Sequence, residues 1–134
     1  MSDPEEARRM LEIAKRDFRA LGGMVSDPDT FCDEIFGFHA EQTVEKALKS
    51  WLAVVVGAYP RVHDLEDLFN GLKDAGAEVP DQFLAMVDFV DFAVQYRYSA
   101  FDDEAGLDRE ALHGLVAGLV AHVERLVRTA DELG

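Results

Sequence analysis

The sequence predicts an all-α protein: an antiparallel four-helix up-and-down bundle with one extra short helix, folded as one domain over residues 1–134. Apolar residues recur at helical spacing along most of the chain. Proline and glycine stand at the ends of these periodic segments, where they start and stop helices. No stretch alternates with a period of two for long enough to suggest a strand, so helices packed on one another are the natural architecture.

Each predicted helix has a start signal and a stop signal. Asp3 stands before Pro4 and two acids, which is the pattern of a capped first turn. Asp108 is in a position to cap the last helix in the same way. The five predicted helices extend from Pro4 to Gly22-Gly23, from Ser26-Asp27-Pro28-Asp29 to about Val56, from His63-Asp64 to Gly76, from Pro80 to the loop at 98–106, and from about Arg109 to Glu132.

The last predicted helix carries an apolar stripe wider than a single core contact needs. Gly114 and Gly118 would let a second helix approach closely there. Two interpretations remain open: the stripe is buried inside one bundle, or part of it forms a homodimer interface. Its two flanks are Leu112, Leu115, Leu119 and Leu126 on one side and Val116, Val120, Val123 and Val127 on the other.

The acidic composition limits which ligands the chain can bind. Asp and Glu number 27 and Lys and Arg number 13, so the formal net charge is −14. Such a field repels phosphate backbones, and no strong nucleic-acid binding is expected. The single cysteine, Cys32, excludes an internal disulfide and fits a reducing cytoplasm. The N-terminus lacks the apolar core of a signal peptide and no apolar stretch is long enough for a membrane span, so we expect a cytoplasmic protein.

Several polar residues have spacings that metal sites or enzymes use. Glu110 and His113 have the Glu-x-x-His spacing of carboxylate di-iron proteins, but no second such pair occurs. Asp88 and Asp91 lie one helical turn apart, and they would either bind Mg²⁺ or form part of a polar face. The sequence contains no phosphate-binding glycine loop and no nucleophile elbow. We therefore predict no catalytic residue, no metal ligand and no cofactor.

The stretch FHAEQTVEKALKSWL, residues 38–52, carries two stripes at helical spacing. One stripe is apolar and is predicted to be core: Ala40, Val44, Ala47, Leu48 and Trp51. The other is polar and consists of His39, Gln42, Lys46 and Lys49. Because this acidic chain has few basic residues, the polar stripe is either a solvated surface or the lining of a binding site.

Further candidates lie later in the chain. His63 enters the third predicted helix. Arg97 stands between two tyrosines in QYRYS and is the sole basic residue of an otherwise acidic segment, 74–108. It would either bind a phosphate beside a stacked base or pair with a carboxylate across the bundle. The candidate nucleotide-binding or partner-binding residues are therefore Lys46, Lys49, His63, Arg97 and Tyr98.

Three segments carry a family resemblance: AEQTVEKALKSWL at 40–52, HDLEDLFNGL at 63–72 and QYRYS at 95–99. In order and separation they resemble the HEPN (higher eukaryotes and prokaryotes nucleotide-binding) domain family of small prokaryotic helical-bundle proteins. The resemblance covers about residues 5–130. It implies a bundle that dimerises and is often encoded beside a minimal nucleotidyltransferase, with nucleotide binding proposed for some members. Three residues, Glu45, Lys46 and Lys49, match polar positions of the family's second helix and are predicted to be surface residues.

Many members of the family are ribonucleases that use an arginine followed, after four to six residues, by a histidine. Arg97 has no histidine in reach, Arg109 and His113 are separated by only three residues, and Ser99 stands where the family usually has proline. The resemblance therefore implies a non-catalytic HEPN-like module that binds a nucleotide, a nucleotidyltransferase partner or both, in a pair of the toxin–antitoxin type. The alternative is a divergent ribonuclease toxin in which His63 or His113 approaches Arg97.

Overall fold

A computed structural model of the chain describes residues 2–95 and 107–133. Within these residues the regular secondary structure is helical throughout, so the predicted all-α class is confirmed. The antiparallel up-and-down order of four helices stays a prediction. The helices of the described residues are α1 (Pro4–Met24), α2 (Asp33–Val55), α3 (Leu65–Asp74), α4 (Asp81–Gln95) and α5 (Arg109–Leu133). None of these five combines the length with the apolar character that a membrane crossing requires.

The second helix, α2, is the centre of the fold. It contacts α1, α3, α4 and α5, and α5 packs in turn against α1 and α4. Between residues 43 and 53 every residue of α2 except Lys46 is buried. The predicted apolar stripe is confirmed as core: Ala40, Val44, Ala47, Leu48 and Trp51.

Aspartate caps start three of the helices. The Asp3 side chain accepts a bond of 3.1 Å from the backbone N–H of Glu6, and Pro4 is the first residue of α1. Asp64 caps α3, and Asp108 accepts from the backbone N–H of Ala111 over 3.0 Å at the start of α5. Each cap satisfies an N–H group that has no partner inside its own helix, as the sequence predicted for Asp3 and Asp108.

Two predicted helix boundaries are wrong, the end of α1 and the start of α2. Gly22 and Gly23 lie inside α1, which continues to Met24, because a helical glycine costs only about 1 kcal/mol relative to alanine and the burial of Leu21 and Met24 offsets it. The second helix begins at Asp33 rather than at residue 26. Asp27 holds a separate turn there, since its side chain accepts from the Thr30 N–H over 3.2 Å.

Most of the wide apolar stripe of α5 is buried against its own chain. Leu115 and Leu126 are half-buried, and Gly118 lies beside α4, where a Cβ would be 3.6 Å from the Phe83 ring. A homodimer interface on this helix stays a prediction. The buried positions come from both predicted flanks: Leu112, Val116, Leu119, Val120, Val123 and Val127.

Candidate functional site

A buried ion pair lies on the central helix. Glu45 and Lys49 are one helical turn apart on α2, which places both side chains on the same face. Lys49 Nζ donates to Glu45 Oε2 over 3.0 Å. Glu45 is 2% exposed and Lys49 is 8% exposed. Because two charges taken out of water lose hydration that their attraction often fails to offset, stability alone does not explain this pair.

The loop before α3 adds a histidine to the pair. His63 Nδ1 lies 2.9 Å from Glu45 Oε2, yet the His63 side chain is 84% exposed. The loop is fixed at this point because the Asp64 side chain caps α3 and the Leu65 side chain is buried. With Nδ1 engaged and most of the ring exposed, Nε2 is the nitrogen available to a ligand. We call Glu45, Lys49 and His63 the Glu45 cluster.

The two oxygens of Glu45 have very different surroundings. Oε2 contacts both Lys49 and His63. Oε1 is buried and has no hydrogen-bond partner among the residues that the structure describes. A buried acceptor left unpaired costs roughly 1–3 kcal/mol, and more when it is charged, so such atoms are few in native proteins.

A second network holds Lys49 from the side of α1. Its Nζ lies 5.7 Å from the centre of the Tyr59 ring, and the Tyr59 hydroxyl donates to Glu6. Glu6 also accepts two bonds from Arg9, of 2.8 and 2.7 Å. The bonds from Arg9 and Tyr59 lower the pKa of Glu6 to about 2, so this carboxylate is charged at neutral pH. The network ties α1 to the loop that carries His63.

An acidic cleft of about 140 Å³ lies near the Glu45 cluster, although no residue of the cluster lines it. Glu41 lies one turn before Glu45 on the same face of α2, and Asp64 directly follows His63. The walls come from α2, the start of α3 and α4. Four acids and two apolar residues line the cleft: Glu41, Asp64, Glu66 and Asp91, with Leu65 and Val87.

Two carboxylates of this cleft, those of Glu41 and Asp91, have raised pKa values. Burial raises the pKa of Glu41, and the nearby charges of Glu45 and Asp91 raise it further. Burial also raises the pKa of Asp91, with a further contribution from the charge of Asp88. Within the described part of the chain, no group of three His, Cys, Asp or Glu side chains is arranged to hold one metal ion.

The predicted polar stripe of α2 divides between two sides of the helix. Lys46 Nζ lies 3.4 Å from Asp17 Oδ2 on α1 and 3.4 Å from Gln42 Oε1. Lys49 belongs to the Glu45 cluster on the other side. The prediction that Glu45 and Lys49 are surface residues is wrong, because neighbouring helices and the Tyr59–His63 loop cover this part of α2.

The structure brings together only part of the predicted site. Lys49 and His63 meet through Glu45, which the sequence analysis assigned only to the polar surface. Lys46 instead pairs with α1. Arg97 and Tyr98 lie outside the described residues, so their role stays a prediction.

Of the other three histidines of the described chain, His39 lies edge-on to its chain neighbour Phe38, with ring centroids 5.4 Å apart, while His113 and His122 pack against aromatic rings of other helices. His113 stacks on Phe18 with ring centroids 4.9 Å apart, while Glu110 is exposed. His122 lies 4.8 Å from the Trp51 ring and 5.6 Å from the Phe83 ring. Burial lowers the pKa of His122, which favours the neutral ring. Neither histidine offers the exposed, carboxylate-held imidazole that His63 offers.

A second buried charge was missed by the sequence analysis. Arg109 is 8% exposed, and its Nε donates to Asp33 Oδ1 over 2.9 Å. One signal could have found it: an arginine in the first turn of α5 opposes the helix dipole and therefore needs a partner elsewhere.

The fold and the cluster together define a helical domain whose polar site lies on its central helix. The HEPN domain family model matches residues 4–133, nearly the whole chain. The chain belongs to the HEPN domain family, as its three segments indicated. No curated protein and no solved structure matches the chain.

Proposed function

We propose that this HEPN domain is a non-catalytic binding module that recognises a partner protein, with a minimal nucleotidyltransferase as the leading candidate. The binding face consists of the Glu45 cluster and the acidic cleft beside it. The observation that carries this proposal is the buried Glu45, whose Oε1 has no partner among the described residues while its Oε2 holds the exposed His63.

Charge favours a protein over a nucleotide as the ligand of this face. Four carboxylates line the cleft, and the cationic Lys49 beside it is already paired with Glu45. Phosphate groups would meet an excess of negative charge here, in a chain whose formal net charge is −14. The cleft is also smaller than the roughly 300–1,000 Å³ that sites for whole small molecules occupy.

The test is a calorimetric titration of the purified chain with a minimal nucleotidyltransferase encoded beside it. We expect a defined complex that is weakened by His63→Ala and left unchanged by Lys46→Ala, whose side chain is held by α1. Thermal melting with ATP, GTP and NAD serves as the comparison, because a ligand at a hundredfold excess over its Kd stabilises by about 2.7 kcal/mol. A melting shift with a nucleotide and no complex with the protein would reverse the proposal.

The Glu45–His63 contact also favours a second candidate, a divergent ribonuclease. A histidine oriented through Nδ1 by a carboxylate can act as a general base through Nε2. On this alternative His63→Ala abolishes RNA cleavage, whereas His122→Gln leaves it intact. Absence of cleavage of total RNA by the purified wild-type chain would remove the candidate.

A further inference from the structure

Resting on the proposed function, we infer that Tyr59 and Glu6 are positioning residues of the binding face. Tyr59 belongs to the loop at 56–64, which also carries His63, and Glu6 belongs to α1. Together they hold His63 against Glu45, so that a residue of α1 outside the Glu45 cluster controls how tightly the partner binds.

The first support is that Tyr59 contacts α1 and the Glu45 cluster at the same time. Its hydroxyl donates to Glu6 Oε2, and Lys49 Nζ lies 5.7 Å from the centre of its ring. Such a cation over an aromatic face is attracted to it. Lys49 in turn donates to Glu45 Oε2, the same oxygen that His63 Nδ1 contacts. Tyr59 is therefore linked through one lysine to the atom that orients the histidine.

The second support is the short stretch of backbone between Tyr59 and His63. Only three residues separate them in the sequence. The far end of the loop is fixed, because Asp64 caps α3 and Leu65 is buried. The near end turns at Gly57, whose φ of 91° favours glycine. The hydrogen bond from the Tyr59 side chain then ties this near end to a different helix.

Glu6 is well suited to accept the Tyr59 hydrogen bond. Arg9 donates to both oxygens of Glu6, over 2.8 and 2.7 Å, and its Nη2 also donates to the Tyr59 hydroxyl over 3.5 Å. The bonds from Arg9 and Tyr59 lower the pKa of Glu6 to about 2, so the acceptor stays charged at neutral pH. A hydrogen bond to a charged acceptor is stronger than one between neutral groups.

The contact that this network supports selects one tautomer of His63. While Nδ1 faces the Glu45 carboxylate, a neutral imidazole carries its proton on Nδ1, and Nε2 is left as an acceptor. The partner group that meets Nε2 is therefore a hydrogen-bond donor. Once the ring moves away from Glu45, the exposed imidazole exchanges between both tautomers, and the acceptor is no longer fixed in place.

The experiment is NMR of the His63 ring nitrogens in the full chain, which reports the proton on Nδ1 and on Nε2 separately. It is carried out well above the ordinary histidine pKa of ~6.5, where an imidazole is neutral. We expect the Nδ1–H form in the wild type and a mixture of both tautomers in Tyr59→Phe and in Glu6→Met. The phenylalanine variant keeps the ring and removes only the hydroxyl. Urea unfolding of each variant establishes that it is folded.

The matched control is Glu12→Met, which also removes an acid from α1. Glu12 is exposed and lies 3.8 Å from Lys15, so this variant should keep the wild-type tautomer. Unchanged ring-nitrogen signals in both network variants would overturn the inference. The Asp64 cap and the half-buried Val62 would then be sufficient to hold the loop.

A calorimetric titration with the nucleotidyltransferase separates this inference from the proposed function. Tyr59→Phe and Glu6→Met should each raise the Kd of the complex about tenfold, which corresponds to ~1.4 kcal/mol, while Glu12→Met leaves it unchanged. A complex whose Kd is unchanged in both network variants refutes the inference and leaves the proposed function standing. If the wild-type chain forms no complex, the proposed function fails, and the ring-nitrogen signals still decide whether α1 orients His63.

Discussion

Arg109 and Glu45 are both buried charges, but their surroundings differ. Three nitrogens of Arg109 donate: to Asp33 over 2.9 Å, to the Met24 carbonyl over 3.0 Å, and to the Phe31 carbonyl. The guanidinium also lies over the Phe36 ring, 5.1 Å from its centre. Glu45 Oε2 contacts Lys49 and His63, and Oε1 has no partner among the described residues.

This difference separates a charge with a structural role from one that we propose to bind a partner. Arg109 ties the start of α5 to the turn before α2, and its donors meet acceptors of this chain alone. Such a closed arrangement leaves nothing for a ligand to complete. Glu45 has one acceptor unpaired beside an exposed histidine and an acidic cleft, so a ligand can improve its surroundings. Burial therefore accompanies a structural role for Arg109 and a proposed binding role for Glu45. The two roles are distinguished by whether every polar atom of the buried group has a partner.

The largest effect is expected from Arg109→Met. The variant removes the Arg109 donors of Asp33 Oδ1 and of two carbonyl oxygens, and breaking a buried pair from one side costs about 3–5 kcal/mol. Urea unfolding measures this loss. Arg109→Lys should recover little of it, because a point charge cannot replace the planar fork. Arg128→Met is the control: Arg128 is exposed and lies 4.0 Å from Glu124, so its loss should cost less than about 1 kcal/mol. Equal effects of the two methionine variants would contradict the closed structural role of Arg109.

A smaller loss is expected from Lys49→Met. The substitution leaves the buried Glu45 charge with His63 as its remaining neighbour, and we expect about 2–3 kcal/mol of destabilisation. Adding Glu45→Gln to the same chain should restore part of the loss, because the uncompensated charge is then gone. The two single variants and the double variant form a cycle that measures the coupling. The control is Lys46→Met, which changes the lysine on the other side of α2 and should alter the free energy of unfolding by less than about 1 kcal/mol. A loss as large as that of Lys49→Met would refute the conclusion that the two lysines of the polar stripe lie on different sides of α2.

Glu41→Gln should change stability in the opposite direction. The pKa of Glu41 is raised in the folded chain from an ordinary value of 4.5, so the native state holds its proton more tightly than the unfolded state. The favourable contribution of this group is complete below about pH 4.5 and is lost as pH rises through the raised pKa. Glutamine has no charge to desolvate. The free energy of unfolding of the variant, measured in urea, should therefore increase relative to that of the wild type as pH rises from 4 to 7. A stability difference that stays constant across this pH range would contradict the raised pKa.

The smallest effect on stability is expected from His63→Ala. The side chain is 84% exposed, so its contact with Glu45 contributes less than about 1 kcal/mol to folding. The same change should weaken partner binding clearly. A large loss of unfolding free energy without any change in binding would make His63 a structural residue and weaken the proposal.

The sequence by itself determined the helical class, the caps and the core face of α2. Asp3 and Asp108 cap helices, as predicted, because a short acceptor at that position bonds to N–H groups of the next turn, which is a local property. The apolar spacing of Ala40, Val44 and the later residues of the stripe likewise predicts burial from a single helix. The Gly22-Gly23 pair predicted an end of α1 that is too early, and the Ser26–Asp29 segment predicted a start of α2 that is too early. Both predictions are wrong because packing offsets a weak local preference.

Only the tertiary structure decided the site. A helical period of 3.6 residues places four polar residues roughly on one side of α2: His39, Gln42, Lys46 and Lys49. It does not predict which of them contact one neighbouring element and which contact another. Lys46 meets Asp17 on α1, while Lys49 lies under the loop that brings His63 to Glu45. These contacts join residues distant along the chain, and their energies depend on burial that no single helix defines. Sequence spacing predicts Lys49 and His63 only as separate candidates. They form one candidate site in the folded chain, where both contact the buried Glu45 carboxylate.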